Sequence, residues 1–304
     1  MRFVAVLNRE GGILRTTDLD VLSASIREAL AAQDHTVDIN IVSGSQLEAA
    51  LDDACSGSAD AILIGGGDGT VSAAAGKMMD TKKILAVLPA GTMNLFARSL
   101  SVPLALDAAI LSHAAGKVRA VDIATANGKP FVHQFSIGMH AKMVHLRDKM
   151  EFGSRLGKIR ASARAAYDTL MDPPAINVSL TIGEAEILTR TTSLGVTNNL
   201  FGEGHLPYTD QPDGGVLGIY VTVARNRGEL IRFFLKVARG KWRDNEQVEI
   251  HQAGRVVVKI LSKRQNLRAS IDGELCELER ETEIEIHPGA LRVLVPDETA
   301  ATVA

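Results

Sequence analysis

The chain has 304 residues, 46% of them hydrophobic and 23% charged, which is typical of a globular protein large enough for two domains. Aromatic residues are scarce at 4% and the net charge is -3, so nucleic acid is not an expected partner. No apolar run approaches the length of a membrane span, and the first residues do not form a signal peptide, which together predict a cytoplasmic protein.

Residues 1–125 alternate between strand-like and helix-like patterns. This alternation predicts an α/β domain with a parallel sheet, in which ligands bind at the carboxyl ends of the strands. Strands are predicted at 3–7, 36–42, 61–64 and 84–88, and helices at 18–33, 46–55 and 71–79.

The predicted strand at 61–64 runs into a glycine turn at 65–70, which reads Gly-Gly-Gly-Asp-Gly-Thr and leads into a helix. Glycines let the backbone approach an anion closely, and the first amides of the helix favour phosphate. A carboxylate facing phosphate needs a cation between them, so Asp68 indicates Mg²⁺. The simpler interpretation is a tight turn with a capping aspartate. The string matches neither the P-loop nor the Rossmann fingerprint.

A second strand–turn–helix pattern follows one unit later, at 88–98. Thr92 and Asn94 follow Gly91 there and could hydrogen-bond to phosphate or ribose. The alternative is an ordinary loop in which Thr92 caps a helix.

After residue 120 the pattern becomes strand-rich, which predicts a β-rich second domain over 126–287. The tail, 288–304, contains an apolar strand at 291–295 that could return to the first domain. A hairpin is predicted around Asn127 and Gly128. Helices are predicted at 142–171 and 229–238, and strands at 121–126, 131–137, 176–182, 189–196, 216–223, 248–250, 255–261 and 268–271.

Two pairs of acidic residues in this second half are candidates for metal binding or catalysis. Asp210 and Asp213 lie three apart in a Pro/Gly loop and could chelate a hard cation, although a solvated turn has the same pattern. The Asp272-Gly273 pair is typical of a hairpin turn, and Asp272 or Glu274 could instead act as a general base.

Together these strings resemble the diacylglycerol kinase catalytic family, in its bacterial lipid-kinase branch, which is related to the sphingosine kinases. The most specific parts are Gly-Gly-Asp-Gly-Thr at 66–70 and Pro-Ala-Gly-Thr-Met-Asn at 89–94, with weaker matches at 155–158 and 198–213. The chain departs from the family pattern at Arg9 (usually Pro), at Ser72-Ala73 (usually Asn-Glu) and at His133 (usually Asn).

The resemblance implies a nucleotide cleft between an α/β domain and a β-sandwich-like domain, and transfer of the γ-phosphoryl group of ATP to a lipid hydroxyl. It implies that Asp68 helps to hold a catalytic Mg²⁺, and that Asp272 or Glu274 accepts the proton. A structural Mg²⁺ is implied at Asp210, Asp213 and Gly215. The implied nucleotide-binding residues are Asn8, Ser43, Gly66, Gly67, Asp68, Gly69, Thr70, Gly91, Thr92 and Asn94.

Two basic stretches with interspersed apolar residues suit peripheral contact with an anionic membrane, although solvated helix faces look the same. The first contains Lys142, Arg147, Lys149, Arg155, Lys158, Arg160 and Arg164. The second contains Arg225, Arg227, Arg232, Lys236, Arg239, Lys241 and Arg243, with Phe233, Phe234, Leu235 and Trp242 among them.

Two other functions fit parts of the pattern. An NAD kinase shares Gly-Gly-Asp-Gly-Thr, but its Asn-Glu string is not evident here. A non-catalytic nucleotide or lipid sensor of the same fold would explain the departures at Arg9 and Ser72. A homodimer is compatible with the sequence, which does not fix the oligomeric state.

Overall fold

The computed structural model describes residues 1–148, 155–224, 226–241, 245–262 and 268–297. The chain divides into two compact units, one made of Met1–Ile123 with His287–Ala304 and the other of Ala124–Ile286. The boundaries fall inside strand β5, Lys117–Ala126, and strand β16, Glu281–Val295.

The first unit is an α/β domain with a parallel sheet, as the sequence predicts. Its strands β1 (Arg2–Asn8), β2 (Thr36–Val42), β3 (Ala61–Gly66) and β4 (Ile84–Pro89) lie in the order β2-β1-β3-β4. The last part of β16 pairs parallel with β4. The helices are α1 (Leu19–Ala31), α2 (Leu47–Ser56), α3 (Asp68–Met78), α4 (Leu95–Ser99) and α5 (Leu106–Ala114).

The core of this unit follows from the apolar pattern. Every residue of β3 and β4 is buried, as expected for central strands covered by helices on both faces. Helix α1 begins where the Asp18 carboxylate accepts hydrogen bonds from two backbone amides, and it buries Leu22, Ile26 and Leu30. Helix α4 is the helix of the strand–turn–helix pattern predicted at 88–98, whereas α5 is not predicted, because it is short and weakly periodic.

The second unit is a β-sandwich. One sheet has the order β12-β11-β10-β7-β14-β15, and β13, β8 and β9 form another with the first part of β16. Buried residues of the two sheets, such as Phe135 and Val258, share one core. The strands are β6 (Lys129–Phe131), β7 (Gln134–Gly138), β8 (Ile176–Ile182), β9 (Ala185–Thr191), β10 (Ser193–Asn198), β11 (Leu217–Thr222), β12 (Val248–Ala253), β13 (Arg255–Ile260), β14 (Arg268–Ile271) and β15 (Glu274–Glu277).

The described parts of the helix predicted at 142–171 are helical, as α6 (Met139–Asp148) and α7 (Arg155–Met171), and 149–154 lie outside the described residues. Two predicted strands were wrong in extent. The strand at 131–137 is broken at Val132 and His133, because their amides bind the Asp272 carboxylate. The strand at 189–196 divides into β9 and β10, because the Thr192 carbonyl leaves the ladder to accept from Met139.

The remaining helix, α8, spans Arg227–Ala238. Of the helices in the described part of the chain, none is long and apolar enough to cross a membrane. Both cysteines, Cys55 and Cys276, are free and half-buried.

Candidate functional site

Three backbone turns meet at the carboxyl ends of β1, β3 and β4 in the first unit. A Cβ atom on Gly91 would lie 2.9 Å from the Gly67 Cα, and one on Gly11 would lie 3.2 Å from the Gly66 Cα. Gly12 has a φ of +48°, and a Cβ there would lie 1.7 Å from the Ala90 carbonyl oxygen. Glycine is therefore required at Gly12 and Gly91 for the turns to touch, and a side chain at Gly11 would be tightly packed.

Helix α3 begins at this meeting point. Its N-cap is Gly67, and the Val71 amide donates to the Gly67 carbonyl as the first bond of the helix. The earlier amides of the first turn, including that of Gly69, have no carbonyl ahead of them within the helix, and they add to its positive end. Backbone amides and a helix dipole converging on glycine turns are suited to bind phosphate. Gly65 itself is in the core, beside Leu7 and Leu14.

The Asp68 carboxylate joins two of the turns. Its Oδ1 accepts a hydrogen bond from the Leu95 amide at 2.7 Å, and its Oδ2 accepts one from the Asn94 amide at 3.0 Å. Asp68 therefore fixes the start of α4 against the start of α3. Each carboxylate oxygen has a second lone pair that could bind a cation, so the predicted contact with Mg²⁺ stays a prediction.

Asn94 closes its own turn. It has a left-handed backbone with φ 51°. Its side-chain Oδ1 accepts from the Gly91 amide at 2.8 Å, and its Nδ2 donates to the Gly91 carbonyl at 3.1 Å. The side chain thus shapes the turn, whereas Thr92 is exposed beside it.

Two other predicted nucleotide-binding residues, Thr70 and Asn8, support the turns from behind, whereas Ser43 lies at a different turn. Thr70 is buried, and its hydroxyl accepts from the Asn8 Nδ2 at 3.3 Å. The Asn8 Oδ1 accepts from the Glu10 amide at 3.1 Å, which holds the turn after β1. Ser43 forms a capping box with Gln46 at the turn after β2.

The acidic loop lies in the second unit. Asp210 and Asp213 are exposed, and Gly215 has a φ of +72°. The His205 Nε2 lies 2.8 Å from the Asp210 Oδ1, a contact that the sequence did not predict. Asp210 also lines a cavity of about 280 Å³ together with Asn199, Thr209 and Gln211.

These residues fit a hard cation in the kind of donors they supply. Asp210, Asp213 and the Gly215 carbonyl are all oxygen donors, and their exposure leaves room for water to complete the shell. Among the described residues no group of three or more His, Cys, Asp or Glu side chains could hold a metal. A cation here would therefore depend on backbone and water oxygens.

The predicted hairpin turn at Asp272 and Gly273 is present, with φ 47° and 85°. The Asp272 carboxylate accepts hydrogen bonds from the amides of Val132, His133 and Gln134, at 2.8–2.9 Å. Glu274 is exposed at the start of β15. The Asp272 carboxylate therefore holds the backbone of residues 132–134 in place, whereas the Glu274 side chain is exposed to solvent.

Comparison with known families matches the two halves of the chain separately. Residues 2–126 match the model of the diacylglycerol kinase catalytic domain. Residues 134–295 match the model of the YegS C-terminal NAD kinase beta sandwich-like domain.

The chain is also similar to individual proteins, at 21–26% sequence identity. The chain is 26% identical to a Synechocystis protein over 250 residues, 79% of this chain but only 55% of that protein. It is 26% identical to a Bacillus subtilis diacylglycerol kinase over 227 residues, 71% of each. A crystal structure of a putative diacylglycerol kinase from Bacillus anthracis shares the fold, with a TM-score of 0.73, 21% identity and 98% of each chain covered.

Proposed function

The chain belongs to the diacylglycerol kinase catalytic-domain family, and we propose that it is an ATP-dependent lipid kinase that phosphorylates a lipid hydroxyl. Family membership indicates a kinase-type transferase. The proposal adds the nucleotide, the lipid acceptor and the residues that act on them. The observation that carries it is the meeting of three glycine turns at the start of α3.

The nucleotide phosphates are proposed to lie against the amides of Gly67 and Gly69, beside the turn that Gly91 forms with Asn94. Close backbone approach and the positive end of α3 favour the negative charge there. Thr92 is exposed beside Gly91, where its hydroxyl could hydrogen-bond to the nucleotide. Asp68 positions the turn after β4, and its remaining lone pairs could bind Mg²⁺.

When bound, Mg²⁺ would neutralise phosphate charge in the first unit and stabilise the acidic loop in the second. Asp210, Asp213 and the Gly215 carbonyl would hold the second ion.

We propose Glu274 as the residue that accepts the proton of the acceptor hydroxyl. Its carboxylate is exposed, whereas the Asp272 carboxylate is held by three amide donors. A base needs a lone pair aimed at the reacting hydroxyl, which favours Glu274. Asp272 would then act as a positioning residue that fixes the turn carrying Glu274.

The experiment is transfer of labelled phosphate from ATP to a total cellular lipid extract, with the labelled product identified. We expect label in a phosphorylated lipid alcohol such as phosphatidic acid. ATP binding without label in any lipid would contradict the proposal and support a nucleotide sensor. The same reaction should include NAD, because the family description of residues 134–295 likens that domain to NAD kinase. Label in NADP alone would favour the NAD kinase alternative.

A further inference from the structure

One surface of the second unit combines exposed apolar and basic side chains on helix α8 and on the turn that follows it. We define the α8 face as Ile231, Arg232 and Leu235 on the helix, with Arg239 at its C-cap and Lys241 after Gly240, and all five side chains are exposed. The opposite face of the helix is buried, since Leu230 and Phe234 pack with Met139, Ala224 and Leu170. The α8 face is therefore not needed to hold the helix in place.

The apolar part of this face is a stripe. Ile231 is 47% exposed and Leu235 is 50% exposed, and the two lie one helical turn apart. Single exposed apolar residues are common, but a pair bordered by cations is the pattern of an interfacial helix.

The stripe continues onto α7. The Arg227 guanidinium donates to the Met171 carbonyl at 2.7 Å, which holds the end of α7 beside the first turn of α8. Ile231 follows Arg227 by four residues and so lies on the same side of α8. Tyr167 and Met171, also one turn apart, are 59% and 39% exposed on α7.

The charge of this surface is strongly positive. Residues 230–241 contain four basic residues and no acidic one. Two acidic residues nearby are paired with cations, Asp168 with Arg164 at 3.1 Å and Asp172 with Lys142 at 2.7 Å. Glu229 accepts from the neutral Asn226 amide at 2.6 Å and keeps its charge, so the cations of residues 230–241 still exceed it. Since two such faces repel each other, this surface is better suited to an anionic membrane than to a second copy of the chain. Lys149, Arg225, Trp242 and Arg243 lie outside the described residues, as do the side chains of Arg147, Arg155 and Lys158.

We propose that the α8 face docks reversibly on an anionic phospholipid membrane. Ile231 and Leu235 enter the boundary between headgroups and acyl chains, while the three cations bind lipid phosphates. A lipid alcohol lies in a membrane, so docking would bring a lipid kinase to its substrate. This role for the docking rests on the proposed lipid kinase function. The docking itself requires neither nucleotide nor catalysis.

The test is co-sedimentation of the full chain with vesicles, without nucleotide, at low and moderate salt. We expect binding to phosphatidylglycerol-containing vesicles and little to pure phosphatidylcholine. Each basic residue near an anionic surface is expected to contribute about fivefold, so R232Q/R239Q/K241Q should bind about 100-fold more weakly. I231Q/L235Q should weaken binding at both salt concentrations, because the apolar contribution is not screened.

Two control variants carry the same changes at exposed positions elsewhere, R27Q/K82Q/R190Q and L111Q/L188Q, and both should bind like wild type. Wild type that does not sediment, or α8 variants that sediment like their controls, would overturn the proposal. So would α8 variants that change the oligomeric state in solution while vesicle binding is unaltered. A chain that docks through α8 but transfers no phosphate would overturn only the kinase proposal.

Discussion

The two units build their candidate sites from different materials. In the first unit the site is made of backbone: Gly12 and Gly91 let three turns come into contact, and side chains such as Asn94 and Asp68 fix those turns. In the second unit the candidates are side chains. The Asp272 carboxylate accepts hydrogen bonds from three backbone amides, while the Glu274 side chain is exposed. A methyl group added at Gly12 or Gly91 would displace a backbone turn, whereas in the second unit the role of each side chain has to be tested separately.

The largest expected effect is that of Asp68→Ala in the backbone site. Removing the carboxylate releases the amides of Asn94 and Leu95, and also removes the candidate Mg²⁺ contact. We expect kcat to fall by about 10³-fold or more, because misplaced turns and a lost cation both raise the barrier. Steady-state kinetics with circular dichroism would separate this loss from unfolding.

Asp18→Ala is the matched control for this change. Asp18 also accepts from two backbone amides at a helix start, at 3.0 and 3.2 Å, but in α1. We expect it to lower stability by about 1 kcal/mol and leave kcat unchanged. Equal effects of the two variants on kcat would show that Asp68 is no more than a helix cap.

The second prediction separates the two carboxylates of the side-chain site. Glu274→Gln should lower kcat by about 10²–10⁴-fold with no change in melting temperature, because an exposed general base is lost. Asp272→Ala should destabilise the chain by about 3 kcal/mol, since three amides lose their acceptor. Thermal melts and initial rates for both variants are the measurements. A Glu274→Gln enzyme with full activity would return the role of base to Asp272 or to another group.

A smaller effect concerns the support beneath the backbone site. His113 on α5 lies 2.8 Å from the Val87 carbonyl on β4 through its Nε2, and burial holds the pKa of His113 below its ordinary value of 6.5. The unfolded chain then binds a proton that the folded chain does not. Stability is therefore complete above about pH 6.5 and should fall below it, by at most about 1.4 kcal/mol per pH unit.

Urea unfolding of the wild type and of His113→Gln between pH 7.5 and 5.5 measures this contribution. The variant should be less stable at neutral pH but should lose less stability on acidification. Identical pH slopes in the two proteins would show that His113 is not responsible.

The sequence predicted the glycine turns of the first unit better than the hydrogen-bond partners of the acidic side chains, for a physical reason. Successive glycines after an apolar strand are expected where backbones approach closely, so residues 65–70 and Gly91 could be identified from the sequence. The roles of individual side chains depend on partners distant in sequence. The amides that Asp272 binds lie 138–140 residues away, and the Asn8 that binds Thr70 lies 62 residues away. The break of the predicted strand at Val132 has the same cause.

The central claim is that the meeting glycine turns bind nucleotide phosphate, and Mg²⁺-ATP affinity tests it most directly. In Gly91→Ala the added methyl group would lie 2.9 Å from the Gly67 Cα and 2.8 Å from the Asn94 Oδ1. Gly254→Ala is the control, because nothing lies within 4 Å of that position. Isothermal titration should show that Gly91→Ala binds Mg²⁺-ATP at least about tenfold more weakly than wild type, which is a loss of about 1.4 kcal/mol in binding free energy. Gly254→Ala should bind with wild-type affinity. Equal affinity of Gly91→Ala and wild type would contradict the claim.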